Sequence, residues 1–270
     1  MTYHIRADQL VLDINESGEV RLQADKVGAS DGLPMTMYPS PLLQLVQDGE
    51  IQAPAVCEQE GRTEALMLTY PNGTKIKVGV VVRNGYAVLE VLTIESGSPD
   101  AVIWGPFRTC IGGSIGESVG VVHDGRFAIG LQVLNAKTVG GWPLELERLA
   151  YMAPSYSEGD APDPNGRRVS DNKFEYPVCT AWPTVDGGSA LQAYARDRTK
   201  RSVRKAWNVP ATEVLPFEGE DAVIVGSGIA LFGCPVEEVL EKIEQIELGE
   251  DLPHPIIEGL WGKTSPAANQ

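Results

Sequence analysis

Gly112-Gly113-Ser114-Ile115-Gly116 has the G-x-S-x-G spacing of a hydrolase nucleophile elbow. That chemistry needs the serine on a sharp strand-to-helix turn, with a histidine and an acid supplied by an alternating α/β sheet. Here Glu117 to Val122 follows and reads as strand, so the expectation is a glycine-rich bend between strands. Gly226-Ser227-Gly228 follows apolar Ala222 to Val225 in the manner of a dinucleotide-binding turn. Its third glycine position is Leu231, and apolar strand continues where a helix should begin. A glycine kink in a buried strand is expected instead.

Metal chemistry has little to work with. His4, His123 and His254 are the only histidines, none is paired at helical spacing, and none stands at ligand distance from a cysteine. His123 falls in a hairpin turn, where exposure is expected. A sandwich-fold sugar epimerase or lyase would want two histidines and a carboxylate on one face, which these positions do not offer. Cys57, Cys110, Cys179 and Cys234 contain no C-x-x-C pair; buried thiols are the expectation, with two long-range disulfides as the alternative. Glycosidase carboxylates must lie within about 5–10 Å of each other in space, which sequence does not reveal. No catalytic residue, metal or cofactor is assigned.

Two clusters remain. Arg196, Arg198, Lys200, Arg201, Arg204 and Lys205 lead into Trp207 and form a basic, aromatic-tipped run of the kind that contacts RNA or an anionic polysaccharide; given the acidic chain, a solvated loop or an interface with an acidic neighbour is the expectation. Trp104 and Trp142 sit among turn residues, in Trp104-Gly105-Pro106-Phe107 and Gly140-Gly141-Trp142-Pro143. With Trp182 they are the candidate flat platforms on which a sugar ring would stack.

These residues are set in a chain of 270, with 22 Lys+Arg against 37 Asp+Glu and a formal charge of −15. Such acidity argues against a nucleic-acid partner and against adsorption to anionic lipid. The N-terminus has no apolar signal core, and the longest apolar run, Ala222 to Gly233, falls short of the about 18–20 residues that span a bilayer. With 43% apolar and 22% charged residues the composition is globular, and 29 glycines with 19 prolines imply many short elements.

The elements that must position the candidates are strands. Leu10, Leu12 and Ile14 alternate with polar residues, and after a turn at 15–18 Val20 and Leu22 resume the period. Runs 65–70, 74–83 and 86–95 are separated by Pro71-Asn72-Gly73 and Asn84-Gly85, which predicts an antiparallel meander with a type I′ turn. A second pair, 118–122 and 127–134, is joined by His123-Asp124-Gly125-Arg126. Proline-rich 31–41 and polar 153–173 read as loops, and strands resume over 175–182, 190–195 and 222–232. One helix is expected from Pro235, with Val236, Val239, Leu240, Ile243 and Ile246 on its apolar face and Gly249 as its stop. With no βαβ alternation, the fold class is all-β: a large antiparallel β-sandwich with one C-terminal connector helix.

Several segments are similar to a known family. Trp104 to Phe107, Ile115 to Val122, Phe127 to Gln132 and Leu134 to Thr138 resemble the N-terminal region of large bacterial α-galactosidase-like glycoside hydrolases. Ile229 to Pro235, the helix, and Leu252 to Ser265 resemble the connector that precedes the barrel there. The resemblance implies a galactose-mutarotase-like supersandwich that packs on a (β/α)₈ barrel and can lend a loop to its pocket. The family's acid and nucleophile come from that barrel, so no catalytic residue carries over to this chain.

The expectation is therefore a sandwich over 1–233 and a connector over 234–270, leading toward a catalytic barrel that would begin near Gln270. Its function would be that of a non-catalytic scaffold domain of a carbohydrate-active hydrolase, with carbohydrate and the barrel in cis as partners. An autonomous carbohydrate-binding module is one alternative, and a sandwich-fold sugar epimerase or lyase is the other. Many relatives are exported, whereas no export signal is seen here.

Overall fold

The computed structural model describes residues 2–25, 39–48, 50–60, 65–112, 114–116, 120–135, 137–140, 181–184, 187–197 and 224–248. Within them the chain is an antiparallel β-sandwich of three sheets. The N-terminal sheet runs β1 (Tyr3–Ala7), β2 (Leu10–Ile14), β3 (Glu19–Ala24), β4 (Ser40–Pro41) in order. A six-stranded sheet places β11 (Ala101–Thr109) between β5 (Leu43–Gln47) and β17 (Ser189–Arg196). Beyond β5 lies β6 (Glu50–Gln52), and β17 also pairs with β15 (Val139–Gly140) and β16 (Ala181–Pro183).

The eight-stranded sheet holds the meander. From one edge it runs β7 (Val56–Gln59), β8 (Ala65–Thr69), β9 (Lys75–Arg83), β10 (Tyr86–Ser96). It then continues through β18 (Gly228–Pro235), β14 (Phe127–Val133) and β13 (Gly120–His123) to β12 (Ser114–Gly116). The β9–β10 turn is as the sequence requires: Asn84 and Gly85 have φ of 46° and 80°, the two positive values of a primed hairpin.

Period-two patterning explains the layers. Leu10, Leu12 and Ile14 of β2, Ile76 and Val78 of β9, and Leu89 and Val91 of β10 are fully buried. They meet Trp104 and Phe107 of β11 in one core drawn from all three sheets. Each such side chain contributes about 1.5–3 kcal/mol on burial, so this shared core is what fixes the sheets to one another. Strands β11 and β17 depart from alternation, being buried on almost every residue, as sheet strands covered on both faces must be.

The other face of the eight-stranded sheet carries a smaller core, with Tyr86, Ala230, Phe232 and Cys234 packed against the C-terminal helical segment. This segment is a 3₁₀ turn, Val236–Glu238, followed by α1 (Val239–Glu244). Val236, Val239 and Ile243 pack on the sheet and Ile246 is buried, in line with the expected face. Leu240 does not join them: it is 54% exposed, because the 3₁₀ turn sets it about one-third of a turn off the packed stripe. Lys242 is buried in its stead, laying its stem on the sheet and pairing with Asp8 at 3.0 Å.

Three further expectations are corrected. The strand read from Ala222 begins only at Gly228, since Ile224 to Ser227 form a turn closed by the Ser227 N–H donating to the Ile224 carbonyl at 3.0 Å. Gly226, with φ +85°, supplies the left-handed position that turn needs, so Gly226-Ser227 precedes the strand rather than kinking it. Cys110 is exposed, whereas Cys57 and Cys234 are buried as expected. The predicted loop 31–41 ends instead in β4, where Ser40 and Pro41 pair with Val20 and Glu19; its first part, 31–38, the loop at 153–173, most of the predicted strand 175–182, Cys179, His254 and Gly249 lie outside the described residues.

Candidate functional site

Among the described residues, a cluster of buried polar side chains lies where β11 faces the start of β18. Trp104 Nε1 donates to Ser227 Oγ at 3.0 Å, and Ser227 Oγ lies 2.9 Å from Thr138 Oγ1. Thr138 Oγ1 accepts from the Gly228 N–H at 2.8 Å and reaches Asn135 Oδ1 at 3.4 Å. Asn135 Oδ1 also accepts from the Lys137 N–H at 3.1 Å, and its Nδ2 donates to the Gly226 carbonyl at 2.6 Å.

Proton direction at the tryptophan follows from chemistry. An indole can only donate, so Ser227 accepts from Trp104; between the Ser227 and Thr138 hydroxyls either can be the donor, and Asn135 Oδ1 is a further acceptor for Thr138. Ser227 and Thr138 are 0% and 1% exposed, and both hydroxyls are committed. No base adjoins Ser227 in this network, so the arrangement is a buried clasp between the two facing sheets and not an activated nucleophile.

The same packing decides the tryptophan candidates. Trp104 is 0% exposed and lies within β11, not in a turn, so it offers no face to a sugar in solvent. Gly105 and Pro106 cause this: Gly105 takes φ +84° and the β11–β17 register shifts between Trp104 and Phe107. The turn-forming pair thus makes a bulge inside a continuing strand. Trp182 stands opposite Ala190 in the β16–β17 ladder, and Trp142 lies outside the described residues.

Of the basic run, Arg196 is described, and it is 4% exposed at the end of β17 opposite Ala101. It is therefore an interior residue of the sheet and not part of an exposed docking edge. Arg198, Lys200, Arg201, Arg204, Lys205 and Trp207 lie outside the described residues. Ser114, the would-be elbow serine, pairs with His123 across two antiparallel strands, which is not the strand-to-helix setting that chemistry needs.

Among the described residues no three His, Cys, Asp or Glu side chains converge as metal ligands would. His123 ends β13 half-buried instead of standing free in a turn, and its Nδ1 is covered without a hydrogen bond. Burial pushes the Cys57 thiol up to about 12 and the Cys234 thiol to about 11, so neither is a nucleophile near neutrality. Cys110 is also raised, chiefly by desolvation. Asp124 is lowered because the backbone N–H groups of Phe127 and Arg126 donate to its carboxylate, which caps the β13–β14 turn.

Sequence reasoning missed the clasp. Its one local signal is Asn135, whose side chain closes an Asx turn on Lys137; nothing local links it to Trp104 or Ser227. Comparison of the chain with protein-family models, curated proteins and solved structures finds no match.

Proposed function

We propose that this chain is a non-catalytic N-terminal β-sandwich domain of a carbohydrate-active glycoside hydrolase, scaffolding a (β/α)₈ barrel joined to it in cis. The observation that carries this reading is the contiguity of the segments resembling that family. Trp104 to Phe107 lie in β11, and Ile115 to Val122 overlap β12 and β13. Phe127 to Gln132 lie in β14 and Ile229 to Pro235 in β18; β13, β14 and β18 are successive neighbours in one sheet. Asn135 and Thr138, from the fourth segment, bond toward Trp104 through Ser227. Segments separated in the chain thus form one packed block, which supports reading them together as one unit.

On this reading the supersandwich supports the barrel, the barrel supplies the acid and nucleophile, and carbohydrate is met by the assembled enzyme. Purified chain should give no turnover of aryl α- or β-glycosides; turnover that co-purifies with it overturns the proposal. Titration calorimetry against a glycan panel should detect nothing tighter than millimolar, and tighter binding would make the chain an autonomous carbohydrate-binding module instead.

A further inference from the structure

One of the two edges of the eight-stranded sheet is closed by the N-terminal sheet. Strand β7 is that edge, paired on one side with β8. In an antiparallel ladder alternate amides face the partner and the open side. The Glu60 N–H donates to the Ala65 carbonyl at 3.1 Å, which continues the register of Glu58 with Met67. Even-numbered amides of β7 therefore face β8, and those of Cys57 and Gln59 face outward.

Both outward amides are held by the N-terminal sheet. Cys57 N–H donates to the Glu16 carbonyl at 2.7 Å, and Gln59 N–H donates to Tyr3 Oη at 2.9 Å. Tyr3 lies on β1, and Glu16 lies in the turn between β2 and β3, whose leucines are anchored in the main core. Along the rest of this strand Val56 is 42% exposed and Glu58 and Gln59 are exposed, so its side chains leave it accessible.

We propose that the N-terminal sheet is an edge guard, and that the partner it keeps off is the same strand of a second copy of this chain. A two-fold antiparallel pairing centred on Glu58 would use the outward groups of Cys57 and Gln59 in each copy, the very amides that Glu16 and Tyr3 occupy. It would also set Glu58 against its own copy, and like charges directly opposed add a second guard, reinforced by the net charge of −15.

Tyr3→Phe removes the hydroxyl and keeps the ring. In that variant, hydrogen exchange at the Gln59 amide should rise about fivefold, the worth of one net hydrogen bond, with the Cys57 amide nearly unchanged. With Glu58→Thr added, the Gln59 amides are open to the Cys57 carbonyls of a second copy while Glu16 still holds the Cys57 amides, so sedimentation velocity should show weak, concentration-dependent dimers beyond those of the unmodified chain. Adding Gln59→Pro, which deletes the outward amide where an edge strand tolerates proline, should abolish them. Unchanged Gln59 exchange, a double variant no more associated than the unmodified chain, or association that survives the proline each overturns the proposal.

Discussion

Trp104 Nε1 donates to Ser227 Oγ across 123 positions of sequence, and both residues are buried. The bond joins β11 of the six-stranded sheet to the turn that opens β18 of the eight-stranded sheet, adding a polar link to the core that the two large layers share. Ser227→Ala leaves the buried indole N–H without its acceptor, while Thr138 keeps the Gly228 N–H and Asn135 Oδ1. It should cost about 1–3 kcal/mol. Trp104→Phe should cost more, because it also removes ring volume from the core. Measured by urea denaturation, the double variant should be less destabilised than the sum, with a coupling of about 0.5 kcal/mol or more. Strict additivity would mean that the contact carries no energy of its own.

Gly130 stands opposite Phe232 in the β14–β18 ladder, and a methyl group on Gly130 would overlap the Phe232 ring. Phe232 is itself 0% exposed on the face that receives the helix, so the ring has little room to retreat. Gly130→Ala should therefore destabilise the chain by about 1–3 kcal/mol through overpacking. Adding Phe232→Leu should recover part of that loss. A second substitution that simply adds its own cost would show that the ring does not occupy the space above Gly130.

The buried thiols make stability fall at high pH. Cys57 is raised from 9.0 to about 12 and Cys234 to about 11, in each case mainly by burial. Burial of Tyr70, whose hydroxyl donates to the Leu43 carbonyl at 2.9 Å, raises that phenol as well. The folded chain holds these protons more tightly than the unfolded one. Their contribution is complete below about pH 9 and is lost as the pH climbs through 11 and 12. The urea midpoint should drop between about pH 8 and about pH 10.5, and less so in Cys57→Val. Peptide mapping after native alkylation near neutrality should find exposed Cys110 modified, with Cys57 and Cys234 modified only after unfolding.

The strand framework was legible because its signals are local. Leu10, Leu12 and Ile14 alternate with polar neighbours, and Asn84-Gly85 demands positive φ at two successive residues, so both features are written within a few positions. The helical face was legible for the same reason up to Leu240, where a 3₁₀ start shifted the phase and brought Lys242 inward to Asp8.

The sites were not legible, since each depends on what lies across the sandwich. Sequence marked Trp104 as a turn residue from its Gly-Pro neighbours, and the bulge at Gly105 kept it in a strand facing the core. Sequence likewise placed Arg196 in an exposed basic run, and the paired strands of the six-stranded sheet buried it. By itself the sequence determined an antiparallel all-β chain and where its tightest turns fall, because propensity, alternation and turn chemistry act between near neighbours. Only the tertiary structure decided which polar groups meet, as with Trp104, Ser227, Thr138 and Asn135, and which edge is closed, as with Tyr3 against Gln59. Those pairings are set by the stacking and order of sheets, and that order is fixed by a core assembled from residues far apart in the chain.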